Sequence, residues 1–345
     1  MSSTKIDYNK KHVVNREFLY KKGLCGLQNL GNTCFMNSII QCLNHVNYLA
    51  KYFLENDYKG FLNQRSDSFN IVIEWNKVIR GLWNANSVVT PIEFQKEVQS
   101  LAFKNGLIDF TGFGQNDSQE FLQFFLESLH NCMSRKVAMN LRGNVHNEID
   151  KQAKEALKTY MQFFNNDYSF IIDTFYGQMH SKLLTIKEGK SEVSYSYDPF
   201  SCLSLEISEN FSTIYDCLDN YTKRENISDG DRKQYRSLTF WRLPKVLIVF
   251  FKRFNNNGMK LNYNIKFPVE DLDMSKYISG YNKSKYKYQL VAVSNHAGGC
   301  NGGHYFAYCK NADNAWYKFD DNVVSTFDNS RINSPLAYCL FYILK

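Results

Sequence analysis

Cys34, His304 and Asp320 are the residues of this 345-residue chain whose types and order could support nucleophilic hydrolysis. A thiol nucleophile needs a base that accepts its proton and a third polar group that orients this base. The cysteine lies near one end of the chain, whereas the histidine and the aspartate lie near the other. Only a folded domain can bring them together, so nearly the whole chain is predicted to form one catalytic unit.

Cys34 is predicted to lie at the start of a helix. Phe35, Ile39 and Leu43 share one helical face, and residues 31–33 supply a turn followed by good N-cap residues. A single cysteine is most often a small buried hydrophobe. The free N–H groups and the positive dipole end of a helix start, however, favour a thiolate, which is the setting that a catalytic cysteine needs.

His304 follows a glycine-rich loop and begins a predicted strand, and Asp320 ends the next predicted strand. One hairpin therefore separates the imidazole from the carboxylate. Considered without any other information, a histidine at a strand start is usually structural. An acidic pair such as Asp320 and Asp321 is likewise usually part of a turn. His296 is a second candidate for the base, in a poorer position.

Five stretches of the chain resemble, in the same order, motifs of the ubiquitin-specific proteases, which are papain-like cysteine deubiquitinating enzymes. Residues 23–38 (GLCGLQNLGNTCFMNS) resemble the cysteine box, and residues 288–325 resemble the histidine box. Between them, residues 114–122 resemble the acidic helix start, residues 172–178 the entry into the fingers and residues 243–254 the central palm strand. The resemblance implies a thumb, a palm and fingers, with the active site in the cleft between thumb and palm.

The resemblance also assigns roles at the reacting centre. It implies that Asp320 orients the His304 base, that Asp321 assists it, and that His296 lines the cleft without acting as the base. The side-chain amide of Asn29 is implied as an oxyanion donor beside the backbone N–H of Cys34. Without the resemblance, Asn29 is better explained as a residue that caps a turn.

Substrate-binding residues are implied on both sides of the same cleft. Asp117, Gln119 and Glu120 lie at a predicted helix start that the family places along the channel for the ubiquitin tail, whose arginines pair well with carboxylates. Gly302 and Gly303 leave the backbone bare for close approach of a substrate main chain. The alternative for the acidic residues is the general preference for acids at helix N-termini.

The implied reaction is hydrolysis of the isopeptide or peptide bond after the C-terminal glycine of ubiquitin, through a thioester on Cys34. The expected partners are ubiquitin and ubiquitinated proteins, and no cofactor or catalytic metal is expected. One alternative is a papain-like protease specific for a ubiquitin-like protein, because the same chemistry recurs on many folds. The other is a catalytically weak ubiquitin-binding module.

The fingers are predicted to lack the zinc site that many family members have. Those members carry two Cys-x-x-Cys pairs that bind the metal with four thiolates. Here Thr185 and Glu188 occupy the positions expected for the first pair, and residues 226–237 contain no cysteine. Cys202 and Cys217 lie nearby without that spacing. The zinc site is therefore interpreted as degenerate, and no metal ligand is assigned.

Composition fits an intracellular globular enzyme. The chain is 44% hydrophobic, its polar start has no signal-peptide core, and its apolar runs are too short to span a membrane. The net charge of +7 is spread along the chain, so neither nucleic acid nor membrane is an expected partner. The odd number of nine cysteines indicates reduced thiols, as in the cytoplasm or nucleus. We expect a monomer.

The residue patterns predict an α+β fold. Residues 1–22 are predicted to form a polar N-terminal extension, and residues 23–345 a single catalytic domain. The resemblance implies that this domain has a helical thumb to about residue 165, followed by fingers and a mainly antiparallel β palm over residues 166–345. Helices are predicted from residue 34 and at 117–130 and 148–164; strands are predicted at 191–197, 203–207, 237–241, 246–251, 288–294, 304–309, 316–320 and 337–344.

Overall fold

The computed structural model describes residues 22–84, 86–228, 233–255, 257–299 and 302–345. All but one residue of the predicted N-terminal extension lie outside these ranges. Within them, helices dominate the first half and strands the second, as expected for an α+β protein. No helix of the described ranges is both long and apolar enough to cross a lipid bilayer.

Helices α1 to α8 include the three that the sequence predicts. Their bounds are Cys34–Asn44, Asn47–Leu54, Phe69–Asn84, Ile92–Lys104, Ser118–Met133, Glu148–Phe164, Phe170–Phe175 and Ile214–Tyr221. Helix α1 is buried along its whole length in the centre of the molecule. Asp117 caps α5 by accepting hydrogen bonds from two backbone N–H groups, and Asn147 caps α6. The predicted boundary between the thumb and the fingers, near residue 165, falls between α6 and α7.

The strands form three sheets. Their bounds, β1 to β14, are Gly26–Leu27, Val88–Val89, Gly177–Lys187, Lys190–Phe200, Cys202–Glu206, Glu225–Asn226, Lys233–Arg242, Val246–Lys252, Leu272–Asp273, Lys287–Gly299, Gly302–Lys310, Trp316–Asp320, Val323–Phe327 and Ala337–Leu344. The palm sheet has the order β13-β12-β11-β10-β14-β8-β5, with β9 paired to β10; the fingers have the order β4-β3-β7-β6. Six strands were not predicted: polar residues hide the alternation in β3 and β13, and the other four, β1, β2, β6 and β9, have only two residues each.

The palm is mainly antiparallel, as predicted, and contains one parallel pair of strands. Strand β5 pairs with β8 in parallel, whereas the other palm pairs are antiparallel. A parallel pair requires a crossover connection. Here α8 and the β6–β7 hairpin lie between the two strands in sequence and supply that connection.

Two apolar cores lie on opposite faces of the palm, and strand β8 contributes to both. Val246, Ile248 and Phe250 pack with the thumb helices, whereas Leu247 and Val249 pack on the other face. Because both faces are covered, the strand is an unbroken apolar run rather than an alternating one. The thumb core also presses α1 against the palm, which brings the start of α1 close to β11.

The end of the fingers near the β3–β4 turn contains polar contacts at one position expected for a zinc ligand. The Gln234 side-chain amide donates to the Thr185 hydroxyl at 3.1 Å, across the paired strands β3 and β7. Glu188 lies in the β3–β4 turn with a positive φ of 52°. Residues 229–232, part of the segment expected for the second ligand pair, lie outside the described residues.

We expect the purified protein to contain no stoichiometric zinc, because strand pairing and hydrogen bonds such as Gln234–Thr185 join the finger strands. Inductively coupled plasma mass spectrometry should find much less than one zinc per chain. A strong chelator should leave the thermal unfolding midpoint unchanged. About one zinc per chain, with unfolding on chelation, would show that the ligands lie elsewhere in the sequence.

Candidate active site

The thiol of Cys34 lies at the first residue of α1, as predicted, and the side chain is 5% exposed. The loop before it is fixed by Asn29, whose side-chain oxygen accepts hydrogen bonds from the backbone N–H groups of Gly31 and Thr33. Thr33 occupies the N-cap position, but its side chain makes no capping bond, contrary to the prediction. The N–H groups at this end of α1 are therefore not capped by the side chain that precedes them.

The pKa of the Cys34 thiol is raised, mainly by burial and further by the negative charge of Asp321. Backbone N–H groups of Tyr305 and Phe35 act in the opposite direction without reversing the shift. The expectation that a helix start favours the thiolate is thus correct in direction, but burial outweighs it. Formation of the thiolate therefore depends on a base that takes its proton.

His304 and Asp320 are hydrogen-bonded to each other, which is the arrangement required of a base and its orienting group. The imidazole Nε2 lies 2.5 Å from Asp320 Oδ1, across the adjacent antiparallel strands β11 and β12. Burial raises the pKa of Asp320, but hydrogen bonds from His304 and Lys318 outweigh this effect and hold the pKa below its ordinary value. Asp320 is therefore a carboxylate at neutral pH, and it leaves Nδ1 of His304 free to face the reacting groups.

Asp321 lies in the turn between β12 and β13 and joins this turn to the segment around Cys34. Its two carboxylate oxygens accept hydrogen bonds from the amide groups of Asn29 and Asn37, each at 2.8 Å. Its backbone oxygen accepts from the N–H of Leu27 at 2.8 Å. Since one amide hydrogen of Asn29 is bound to Asp321, the second is oriented by the same contact and is available to an oxyanion.

The structure thus brings Asn29, Cys34, His304, Asp320 and Asp321 into one site. Within the described part of the chain, no hydrogen bond joins the Cys34 thiol to the His304 ring. Side-chain atoms of His304 and the two aspartates all lie within 4.8 Å of one another. The two acidic residues have different contacts: Asp320 contacts the imidazole, and Asp321 contacts the two asparagine amides.

His296 lies beside this centre rather than in it. The ring is 4% exposed and packs against Tyr305 and Phe254, and its pKa is lowered to about 4 by burial, by Lys260 and by His304. A neutral, buried ring at physiological pH is poorly placed to exchange protons with a substrate. Its role in the structure is to line the cleft.

Gly303 is required for that packing. A Cβ atom at this position would lie 2.1 Å from Nε2 of His296, so a side chain would displace the ring. The backbone N–H of Gly303 also donates to the Gln115 side-chain oxygen at 2.9 Å, which joins palm and thumb beside His304. Gly302 is exposed, with no atom within 4 Å of a Cβ added there. These two glycines leave the backbone accessible at the edge of the cleft.

A groove of about 190 Å³ continues from this bridge; it is lined by Gln115, Asn116, Asp117, Phe254, His296, Gly299 and Tyr305. Asp117 has little freedom there, because one carboxylate oxygen caps α5 and the other accepts from the Tyr338 hydroxyl at 2.6 Å. Gln119 donates to the Ser204 hydroxyl at 3.0 Å. Glu120 is exposed, and its pKa is raised by partial burial and by the charges of Asp117 and Asp109.

Sequence reasoning missed four residues of this region: Asn37, Gln115, Lys318 and Tyr338. Asn37 is an amide residue one helical turn after Cys34, and this spacing was a usable signal. Gln115 lies inside the stretch that resembles the acidic helix start. Nothing in the local sequence marks Tyr338, because its partner Asp117 is distant in the chain. Lys318 is not marked either, because its contact with Asp320 depends on a strand face that only the fold defines.

Comparison with known proteins adds an independent observation to this geometry. Residues 25–342 match the family model of ubiquitin carboxyl-terminal hydrolase. The chain belongs to the ubiquitin carboxyl-terminal hydrolase family. Ubiquitin carboxyl-terminal hydrolase 2 of Bos taurus is 36% identical over 347 residues, covering 94% of this chain and 55% of the relative. The Gallus gallus protein of the same name is also 36% identical, with 94% of each chain covered.

Solved structures of hydrolase family members have the same fold. A chain in the yeast SAGA DUB module with a mutant Sgf73 matches with a TM-score of 0.72 and 27% identity, covering 94% of this chain and 69% of that chain. The Ubp8/Sgf11/Sus1/Sgf73 module bound to ubiquitin aldehyde matches with a TM-score of 0.71 and 26% identity, covering 94% and 70%. The papain-like fold with thumb, palm and fingers is confirmed. The chain spans about half the length of several curated hydrolases that it matches.

Proposed function

We propose that this protein is a thiol-dependent deubiquitinating enzyme that hydrolyses the bond after the C-terminal glycine of ubiquitin. The observation that carries the proposal is the His304–Asp320 pair at the cleft that also holds the buried thiol of Cys34 at a helix start. Membership of the hydrolase family supports the choice of ubiquitin, and a related module has been solved with ubiquitin aldehyde bound.

In the proposed reaction, the sulfur of Cys34 attacks the glycine carbonyl carbon as His304 accepts the thiol proton. The carbonyl oxygen becomes an oxyanion, which accepts hydrogen bonds from the Asn29 amide and the backbone N–H of Cys34. His304 returns the proton to the leaving lysine nitrogen as the C–N bond breaks, which leaves a thioester. Water, deprotonated by His304, then attacks the thioester and regenerates the thiol.

This sequence requires contact between the thiol and the imidazole, which are not hydrogen-bonded in this structure. Catalytic hydrogen bonds commonly tighten only in the substrate complex. The Gln115–Gly303 bridge lies beside this contact, at the end of the groove that we assign to the ubiquitin tail. We propose that the tail lies in this groove, with its terminal glycine at Cys34.

The test is labelling with ubiquitin whose C-terminal carboxyl is replaced by a thiol-reactive propargyl group. We expect an adduct with the mass of one ubiquitin, and peptide mapping should place it on Cys34. Ubiquitin-like proteins with the same electrophile serve as parallel reactions. Labelling by one of those proteins alone would favour the alternative specificity, and an adduct without turnover of ubiquitin conjugates would favour a catalytically weak binding module.

Glu120→Gln should weaken use of ubiquitin substrates mainly through the Michaelis constant. Both carboxylate oxygens of Asp117 already have partners, whereas the exposed Glu120 carboxylate is available to an arginine of the tail. Loss of a partly screened ion pair corresponds to a KM increase of roughly two- to tenfold with kcat nearly constant. Steady-state kinetics with a fluorogenic ubiquitin amide measure both constants.

Glu127→Gln is the matched control, because Glu127 is an exposed acid two helical turns further along α5. It should leave KM unchanged. An unaltered KM in Glu120→Gln would mean that this acid serves only the N-terminus of its helix. An equal rise in both variants would indicate a general charge effect rather than a contact with the tail.

We also propose that the protein works in a reducing compartment such as the cytoplasm or nucleus. The eight cysteines within the described ranges are free thiols, which supports this location. The proposed mechanism also requires a reducing environment, because oxidation of the Cys34 nucleophile would stop the reaction.

A further inference from the structure

We propose that Lys318 is a positioning residue that shares the Asp320 carboxylate with His304 and thereby sets the pH range in which the imidazole can work. The ammonium lies 2.7 Å from Oδ2 of Asp320, while Oδ1 of the same carboxylate is held by the imidazole. Both carboxylate oxygens therefore have a cationic or hydrogen-bonded partner. This inference rests on the proposed function, since it concerns the same base.

The strand geometry places Lys318 where it can act on both groups. Lys318 and Asp320 are two residues apart on β12 and so point to the same face of the sheet. The Lys318 ammonium also lies 4.5 Å from the centre of the Phe306 ring, and that ring stacks at 6.4 Å on His304. An aromatic face and a carboxylate thus hold the cation in one position.

This arrangement differs from an ordinary surface ion pair. Exposed pairs contribute little because two mobile side chains must be ordered and water screens the charges. Here the side chains of Lys318 and Asp320 are 34% and 30% exposed, and each has a second partner that restricts it. The lysine therefore keeps the carboxylate from rotating away from His304, and it places a positive charge one carboxylate away from the ring.

Other charged groups also face the His304 ring. Asp321 is close, but both of its carboxylate oxygens are bound by asparagine amides. The Cys34 thiol approaches from α1, and the neutral His296 ring lies on β10 with Lys260 bound to its backbone oxygen. None of these groups contacts Asp320 by hydrogen bond within the described residues, so the effect of Lys318 on that carboxylate is separable from theirs.

The palm strands on either side of β12 carry few charges near Lys318. Strand β13, next to β12, places Ser325 opposite Lys318 and has no ionisable residue along its length. On β11, Tyr308 lies opposite Lys318; its pKa is raised mainly by burial and also by the charge of Asp320, while Arg331 acts in the opposite direction. Lys318 is therefore the cation that contacts Asp320 from β12 and its neighbouring strands in the described structure.

Removal of the Lys318 cation should shift the His304 titration in a predictable direction. A positive charge near an imidazole disfavours protonation of the ring, and a carboxylate that loses its lysine partner attracts the ring proton more strongly. Lys318→Met should therefore raise the midpoint of the His304 titration. A unit charge separated from the ring by one carboxylate, in a largely solvated site, corresponds to a shift of about 0.5 pH unit.

The direct measurement is the NMR titration of ¹³C-labelled histidine in the Cys34→Ala background, which needs no catalytic activity. We expect the His304 midpoint to rise by about 0.5 pH unit in Lys318→Met and to stay within about 0.1 pH unit in Lys318→Arg, which keeps the charge. High salt should reduce the difference between the midpoints of the parent protein and Lys318→Met, because it screens the lysine charge. In the active protein, the limb of the kcat/KM profile that His304 controls should move in the same direction.

Lys310→Met is the matched control, because Lys310 is at the far end of β11 and pairs with Glu270 at 3.2 Å. It should shift neither the titration nor the pH profile. An unchanged midpoint in Lys318→Met, even with reduced activity, would overturn the proposal and leave a merely structural lysine. An equal shift in Lys318→Met and Lys318→Arg would also overturn it. Failure of the ubiquitin probe to label Cys34 would instead refute the proposed function and leave the titration result intact.

Discussion

Cys34→Ala should abolish hydrolysis of ubiquitin conjugates while leaving ubiquitin binding intact. The thiol sits at the first residue of α1, and the Tyr305 and Phe35 N–H groups are directed at its sulfur. Without that sulfur no thioester forms, and the loss of a nucleophile lowers kcat by roughly four orders of magnitude or more. The contacts with ubiquitin that we propose along the groove do not involve the sulfur, so the dissociation constant should change little.

The comparison needs both a rate and a binding measurement. Turnover of a fluorogenic ubiquitin amide gives the rate, and isothermal titration calorimetry with ubiquitin gives the affinity. Cys42→Ala is the matched control, since Cys42 is a fully buried thiol on the same helix, two turns further on. It should retain most activity and lose some stability. Substantial turnover by Cys34→Ala would refute the mechanism.

His304→Ala should have a similar effect for a different reason. Burial and the charge of Asp321 raise the pKa of Cys34, so few molecules carry a thiolate unless a base removes the proton. We expect kcat to fall by roughly three orders of magnitude or more, since the nucleophile and the base act as a unit. The double variant Cys34→Ala/His304→Ala should be scarcely worse than either single variant, which is the signature of that unit.

Measurement of kcat also separates the effect of losing the base from the effect of losing the group that orients it. Asp320→Asn keeps the shape of the side chain but removes the charge that pairs with His304, and kcat should fall by roughly two to four orders of magnitude. His146→Ala, at an exposed histidine on the loop before α6, is the control and should be fully active. Activity that survives in His304→Ala but fails in a His296 variant would move the base to His296.

The sequence determined the identity of the groups and much of the secondary structure. The helices that begin at Cys34 and Glu148 start where the apolar period of the sequence placed them. Strand β8 follows from its unbroken apolar run. These features are local: a helical or strand period is visible over a few residues, and caps and turns depend on immediate neighbours. The assignment of Asn29 and Asp320 came from family resemblance, since their local context alone fits a turn.

Only the tertiary structure decided the electrostatics and the partners. Whether the thiol of Cys34 is acidic depends on how deeply the thumb and palm bury it, and burial prevails over the helix start. The contacts of Asp321 with Asn29 and Asn37 join parts of the chain almost three hundred residues apart. The parallel pairing of β5 with β8 likewise depends on a long crossover. Desolvation and long-range pairing are properties of the packed molecule, so no local pattern in the sequence encodes them.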